Sequence, residues 1–278
     1  MRFSIGAPGG TRTLILERRL ILSFPALPTE FDGLRICLLS DLHLKRPDAL
    51  FGALVEYLGR TAFDLGCCAG DVECSPGMDM RIPRELARKL FAASSQRFGW
   101  YVVRGNNDSP RFIRQLDTGA VHVLHNRSVR LGDSAPPLFV VGVDDPDHRH
   151  DDLDAALEGV PRDAFTILLA HSPDIIHRAE RKKVSLVLCG HTHGGQVRLP
   201  WAGPVLTQTR VGRKYCWGLA RKLDTLIFTT CGVGCTFVPL RVNCPSEVVS
   251  ITLRRSSAPH VDSSARAVSP CRGQSPVV

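Results

Sequence analysis

The sequence predicts an α/β fold, and three observations carry the prediction. Short apolar runs recur along the chain, at residues 34–39, 63–69, 100–103, 165–170 and 184–189, and read as buried strands. Segments with apolar residues at helical spacing separate several of them, the alternation expected of strands and helices packed in layers. The runs end on Asp, Asn or His, at the strand ends where α/β sheets gather their ligands. At 278 residues and 44% hydrophobic, the chain can bury a substantial core as one large domain or two small ones.

Residues 13–24 alternate loosely and read as an edge strand, broken by Pro25 and Pro28. Residues 1–32 are thus an N-terminal extension to a domain spanning 33–255. The buried run 34–39 delivers Ser40, Asp41, Leu42 and His43 at its end. Asp41 and His43 stand at i and i+2, on one side of an extended backbone, and an acid beside an imidazole suits a divalent metal. Pro47 and Asp48 open a helix to about Gly59, with Leu50, Leu54 and Leu58 on one face. The run 63–69 ends in Gly70 and Asp71. That carboxylate can bridge two metals through its two oxygens, or simply open a turn. A helix at 83–96, with Leu86, Leu90 and Phe91 inward, leads to the strand 100–103 and then to Arg104, Gly105, Asn106, Asn107 and Asp108. An Asn carbonyl oxygen is a hard metal ligand. Asp108 either orients a neighbour by hydrogen bonding or, with Ser109, caps a helix before Pro110.

Residues 121–124, 128–131 and 138–143 read as consecutive strands of a second, more antiparallel sheet. An acidic, His-rich loop at 144–152 follows, able to attract a metal but read in preference as a solvated lid, and 151–157 as a short helix. The run 165–170 hands over to His171, and Pro173 starts a helix to about Arg181. The run 184–189 ends at Gly190, His191, Thr192, His193, Gly194, Gly195 and Gln196. Two imidazoles at i and i+2 can each serve one of two neighbouring metals, and the glycines permit φ > 0 or a close backbone approach. Strands at 196–199 and 226–230 follow, and 248–253 closes the domain. Residues 256–278, rich in Ser, Pro, Ala and Arg without periodicity, read as a disordered tail.

A formal net charge of +8 favours phosphate-bearing substrates or an anionic membrane surface, and no Lys/Arg block is long enough to argue for nucleic acid. Glu17, Arg18 and Arg19 interrupt the start of the chain, so it does not read as a signal peptide. No stretch reaches the ~18–20 apolar residues of a membrane span. The expectation is a cytoplasmic protein, at most peripheral to the inner membrane. The ten cysteines fall largely in apolar runs, where Cys acts as a small hydrophobe, and a disulfide framework is not expected. Cys231, Cys235 and Cys244 match no standard zinc spacing.

Asp41, His43, Asp71, Asn106, His171, His191 and His193 each have an ordinary reading as loop residues. Seven ligand-type residues at the ends of five buried strands do not follow from packing demand. In this order, Asp41-Leu42-His43, Gly70-Asp71, Gly105-Asn106-Asn107-Asp108, His171 and Gly190-His191-Thr192-His193 resemble the calcineurin-like metallophosphoesterases, over residues 33–253. Gly142 to Pro146, Gly194-Gly195-Gln196 and Gly212-Arg213-Lys214-Tyr215 are similar to a bacterial branch of that family. The branch contains general phosphodiesterases and UDP-2,3-diacylglucosamine pyrophosphatases of lipid A synthesis.

The resemblance implies a four-layer αββα sandwich with two divalent metal ions, manganese, iron or zinc, at the strand ends. It implies that Asp41, His43, Asp71 and His193 hold one ion, that Asp71, Asn106, His171 and His191 hold the other, and that a hydroxide bridging the pair attacks phosphorus. The expected substrate is a phosphorylated small molecule or a lipid-linked phosphoester. Asn107 and Asp108 take the family's catalytic position. The family usually has His where this chain has Asn107, and Asn cannot supply a proton at neutral pH. Either the substrate has a good leaving group, the preferred reading, or His148 or His150 substitutes, or the protein is a catalytically weak scaffold. Arg210, Arg213 and Lys214 are candidates for a distal phosphate or anionic headgroup, or form a solvated basic turn. The apolar residues 237–240 are read as a strand end or as a contact for an acyl chain.

Overall fold

The structure, a computed structural model, describes residues 15–74, 79–236, 238–258 and 260–268. The chain begins with β1 (Ile15–Phe24) and β2 (Arg35–Leu39), followed by α1 (Ala49–Arg60), β3 (Leu65–Cys68) and α2 (Arg81–Ala92). It continues through β4 (Trp100–Val102), α3 (Pro110–Arg114), β5 (Val121–Val123), β6 (Arg127–Leu131) and β7 (Leu138–Gly142). Then come α4 (Leu153–Ala156), β8 (Phe165–Leu169), α5 (Ile176–Arg181) and β9 (Leu186–Cys189). A two-strand hairpin, β10 (Arg198–Leu199) and β11 (Gly203–Pro204), precedes β12 (Gly218–Lys222), β13 (Thr225–Thr229), β14 (Ser246–Arg255) and β15 (Val261–Val268).

These strands build a seven-stranded sheet, order β15-β1-β14-β2-β3-β4-β5, and a six-stranded sheet, order β12-β13-β9-β8-β7-β6. The sheets pack face to face. Side-chain alternation explains why: in β2, Ile36 and Leu38 point into the core between the sheets, while Cys37 and Leu39 point into the core under the helices. A strand covered on both faces needs apolar residues at every position, which is why these runs are so legible. The inter-sheet core also takes Leu65, Val140, Phe165, Ile167, Leu188 and Phe228. Outside the first sheet, Leu54 and Leu58 of α1, Leu86 and Leu90 of α2 and Phe112 of α3 form a second core with Trp100 and Val102. Outside the second sheet, Leu153 of α4 and Ile176 and Ala179 of α5 cover Val141, Leu168 and Val187. The result is the four-layer αββα sandwich.

The helix signals act as expected. Asp48 accepts a hydrogen bond from the Phe51 amide to cap α1, and Ser109 caps α3, with Pro110 at its first turn.

Several sequence expectations need correcting. β1 is not an edge strand: it pairs parallel with β14 and antiparallel with β15, so Glu17 is buried and accepts from the Tyr57 hydroxyl at 2.8 Å. β15 falls in the stretch read as a disordered tail; the remainder of that tail, 269–278, lies outside the described residues, as do 1–14. β5 belongs to the first sheet, parallel to β4, because it follows the helical crossover of α3. The second sheet is parallel across β7, β8, β9 and β13, with only its outer strands β6 and β12 antiparallel. The strand expected at 196–199 shrinks to the two residues of β10, since His193–Gly195 forms a 3-10 turn. No helix among the described residues is long and apolar enough to cross a membrane.

Candidate metal centre

The loops that leave β2, β3, β4, β8 and β9 converge at one end of the sandwich. They lock together by backbone hydrogen bonds beyond the strand ends: Asp41 to the Gly70 carbonyl at 2.9 Å, His43 to that of Asp71 at 3.0 Å, and Gly190 to that of His171 at 2.9 Å. Asp41, His43, Asp71, His191 and His193 all hold φ between 45° and 69°. Non-glycine residues rarely adopt this left-handed region, and each such residue costs on the order of 1–3 kcal/mol unless its surroundings enforce it. Two glycines make room for the enforced geometry. A Cβ on Gly190 would lie 1.8 Å from Ser40 Oγ and 2.4 Å from Asp41 Oδ2, and one on Gly105 would lie 2.2 Å from Asp71 Oδ1.

All seven predicted ligands come together. His43 Nε2 lies 3.1 Å from His193 Nε2, and His193 Nε2 lies 3.3 Å from Asp41 Oδ1. Across the site, His171 Nε2 is 2.9 Å from Asn106 Oδ1 and 3.2 Å from His191 Nδ1, which is itself 2.9 Å from Asn106 Oδ1. Asp71 joins the halves: its Oδ2 is 3.6 Å from His43 Nε2 and 3.4 Å from His171 Nε2. The carboxylates and imidazoles of Asp41, His43 and His193, and of Asp41, Asp71 and His171, form two groups compact enough to grip an ion.

The electrostatics bear on whether a metal fits. His171 Nδ1 faces the Ala69 carbonyl at 2.7 Å; a carbonyl only accepts, so Nδ1 carries the hydrogen. The Nε2 lone pair is thereby aimed at the oxygens of Asn106 and Asp71, an arrangement that needs a cation among those atoms. A proton can play that part. Burial works against a charged ring, but the Asp71 and Asp41 carboxylates and the Ala69 carbonyl outweigh it and push His171 up to about 10. Asp71 responds in the opposite sense: burial would raise it, yet the His171 and His43 rings and the Asn107 amide hold it well below the usual carboxylate range. His193 is driven down to about 4, chiefly by burial, and burial also lowers His43 and His191. Three buried imidazoles kept neutral, a fourth whose proton a metal would displace, and the Asp41 and Asp71 carboxylates meet at one point; this is a donor set a divalent transition metal takes, so the residues fit such an ion.

Asn107 lies on the Asp71 carboxylate, its backbone N–H donating to Oδ1 at 2.8 Å and its side-chain Nδ2 to Oδ2 at 2.7 Å. Asp108 does not line the cavity. It is buried behind it, accepting the backbone N–H groups of Asp71, Glu73 and Gly105, and so ties the ligand loops together. Burial and the Asp71 charge raise its carboxyl to about 7 against the pull of these amides.

The site opens into a cavity of about 420 Å³ whose wall includes Asp71, Asn106, Asn107, His191 and His193. Asp147, Gln208, Thr209 and Arg210 complete the rim, and of these the sequence had singled out only Arg210. His148 and His150 are not in the wall: His148 sits on Asp145 at 2.5 Å and His150 on Arg104 at 2.6 Å. Asp147, from the loop read as a lid, reaches the wall instead. Asp174 fixes the rim by accepting from the Arg210 amide at 2.9 Å and from Thr209 Oγ1 at 2.5 Å. Arg213 donates to the Ala202 carbonyl and Lys214 lies over the Tyr215 ring, so neither lines the cavity. Cys244 contacts the His193 carbonyl at 3.1 Å, and Cys231 lies 3.0 Å from Arg198.

The calcineurin-like phosphoesterase superfamily domain matches residues 34–199. The uncharacterized metallophosphoesterase YkuE of Bacillus subtilis is 30% identical over 244 residues, which cover 83% of this chain and 82% of YkuE. The phosphodiesterase YaeI of Escherichia coli is 28% identical over 229 residues, covering 79% of this chain and 82% of YaeI. A transmembrane protein with metallophosphoesterase domain from Danio rerio is 28% identical over 251 residues; they cover 83% of this chain but only 55% of the fish protein.

Proposed function

The chain belongs to the calcineurin-like phosphoesterase superfamily and is a metallophosphoesterase, and we propose that it hydrolyses phosphodiester or pyrophosphate bonds at a dinuclear centre. In this reading Asp41, His43, Asp71 and His193 hold one divalent ion and Asp71, Asn106, His171 and His191 the other. One observation carries it: a single carboxylate oxygen of Asp71 stands within 3.6 Å of His43 Nε2 and 3.4 Å of His171 Nε2, so one acid serves both halves. Bound there, two cations supply an activated water and neutralise phosphoryl charge.

The chain's own groups do the rest. The His171 Nδ1–H to Ala69 bond fixes which nitrogen faces the site. Asp108 holds the Asp71 and Gly105 backbone in place. Asn107 can donate a hydrogen bond to a substrate oxygen but cannot protonate a leaving alkoxide. This favours substrates whose leaving group needs no proton, such as a pyrophosphate or an aryl ester. A lipid-linked pyrophosphate, UDP-2,3-diacylglucosamine in particular, meets that requirement. Arg210 on the rim is placed to meet a second anionic group of such a substrate. Cysteines packed as small apolar residues, such as Cys37, Cys67 and Cys68, suit a reducing compartment, and we assign the enzyme to the cytoplasm.

Hydrolysis of bis(p-nitrophenyl) phosphate with added manganese tests the activity. Turnover that disappears in Asp71→Ala and His191→Ala is the expected result. No turnover with manganese, iron or zinc would instead favour a catalytically weak metal-binding scaffold, for which Asn107 is the supporting feature.

A further inference from the structure

We propose that the β10–β11 hairpin and the chain just after it form a membrane anchor that seats the mouth of the cavity on an anionic lipid bilayer. Nine large apolar side chains stand out as exposed among the described residues, and five of them gather here: Trp201 at 91%, Leu206 at 66%, Val238 at 57%, Val205 at 53% and Leu199 at 46%. Trp201 lies at the tip, in the turn between the paired Leu199 and Gly203. An indole this exposed gains nothing from water, whereas its amphipathic ring is suited to the headgroup boundary of a bilayer.

The patch is joined rigidly to the active end of the molecule. Gln196, three residues after His193, accepts from the Thr236 amide at 3.0 Å and donates to the Thr236 and Val238 carbonyls at 3.2 Å and 2.8 Å. That clasp binds Thr236 and Val238 to the base of the hairpin, and Thr236 itself lines the cavity. From Val205 and Leu206 the chain runs directly into Gln208, Thr209 and Arg210 on the cavity rim. The Arg213 guanidinium donates to the Ala202 carbonyl at 2.9 Å, which puts a cation immediately behind the Trp201 tip.

Charge selects the occupant. Between Gln196 and Trp217, the stretch that carries the hairpin and the chain after it, the sequence contains Arg198, Arg210, Arg213 and Lys214 and no acid; at the cavity rim the Asp147 carboxylate lies 4.0 Å from Arg210. Apolar tips backed by basic residues are what an anionic bilayer surface attracts and admits. A second copy of this chain would bring the same positive charge against itself in a two-fold contact, which opposes self-association through this face.

The binding does not depend on the proposed hydrolysis, so it is measured separately, by sedimenting the full-length protein with vesicles. Vesicles of phosphatidylcholine mixed with phosphatidylglycerol are compared with phosphatidylcholine alone, with and without added salt. The expected result is salt-sensitive binding at least ~10-fold tighter to the mixed vesicles, with tryptophan fluorescence quenched by brominated acyl chains. Trp201→Ser and Leu206→Ser, both at exposed positions, each weaken vesicle binding by ~10-fold and leave hydrolysis of bis(p-nitrophenyl) phosphate unchanged. Absence of binding to the mixed vesicles overturns the proposal, as does binding that both substitutions leave intact. Self-association that Trp201→Ser abolishes, without vesicle binding, overturns it in favour of a second copy. Vesicle binding by a protein that hydrolyses nothing supports the anchor and removes the phosphoesterase reading instead.

Discussion

The two halves of the proposed metal cage each pair two imidazoles with one oxygen donor, the Asp41 carboxylate in one and the Asn106 amide in the other, and they behave in opposite ways. In the half made by Asp41, His43 and His193, the rings stack with centroids 5.1 Å apart, and burial keeps them neutral, His193 down at about 4. In the half made by Asn106, His171 and His191, burial opposes a charged ring, but the Asp71 carboxylate, with Asp41 and the Ala69 carbonyl, pushes His171 up to about 10; burial and then the His171 charge lower His191. One half thus presents bare lone pairs at neutral pH, and the other holds a proton that an incoming metal must displace. The contrast comes from burial set against the nearby carboxylate charge: burial prevails at His193, and the Asp71 carboxylate outweighs it at His171, with the Ala69 carbonyl adding to the effect.

The strongest way to break this comparison is to remove what the halves share. Asp71→Ala is expected to lose both metals and to cut hydrolysis by ~10³-fold or more, the scale of losing the main electrostatic stabilisation in a site. His193→Ala and Asn106→Ala should each empty one half first. Elemental analysis of the purified variants reads this directly, and a full complement of metal in Asp71→Ala would end the idea of a shared carboxylate.

Next in size is the proton supply on that carboxylate. Asn107→His should speed hydrolysis of alkyl phosphodiesters by ~10²-fold and change aryl esters little. If alkyl esters gain nothing, the missing proton donor is not what limits them.

The pH dependence sharpens the contrast between the halves. Metal affinity of the His171 half should fall about tenfold for each pH unit below the ring's pKa, one proton being displaced per ion, while the His193 half holds its affinity to about pH 4. Stability of the metal-free protein follows the same signs. His171, raised in the fold, contributes fully below its ordinary 6.5 and loses that contribution as pH rises toward about 10. His193, depressed in the fold, contributes above 6.5 and loses it as pH falls toward about 4. Thermal unfolding of chelator-treated protein should show both limbs, with His171→Gln flattening the alkaline one and His193→Gln the acid one. Retention of the alkaline limb in His171→Gln would contradict the assignment.

The smallest expected effect is steric. Gly190→Ala should destabilise the fold by ~1–3 kcal/mol, because the added methyl collides with Ser40 and Asp41. It should weaken the Asp41 half more than the Asn106 half, as metal titration of the variant would show.

Much of this was legible along the chain. Strands buried on both faces must be apolar throughout, so β2, β3, β8 and β9 announce themselves, and each stops where a ligand-type residue begins. Caps such as Asp48 are equally local. The errors lie where a residue's part depends on a distant neighbour. Val121–Val123 looks like its successors until its pairing with β4 is known, and β1 looks like an edge until β15 covers it. Asp108 reads as orienting a neighbour, as a cap or as part of the catalytic position, and only the three amides arriving around it decide for the first.

The sequence by itself therefore determined the layers and the donor types, because burial and strand ends are written in consecutive residues. Tertiary structure alone decided how closely those donors meet and which ring is pushed toward its protonated form. Those outcomes turn on contacts such as His43 with His193, 150 residues apart, and His171 with the Ala69 carbonyl, 102 apart, and no local pattern encodes the distance between them.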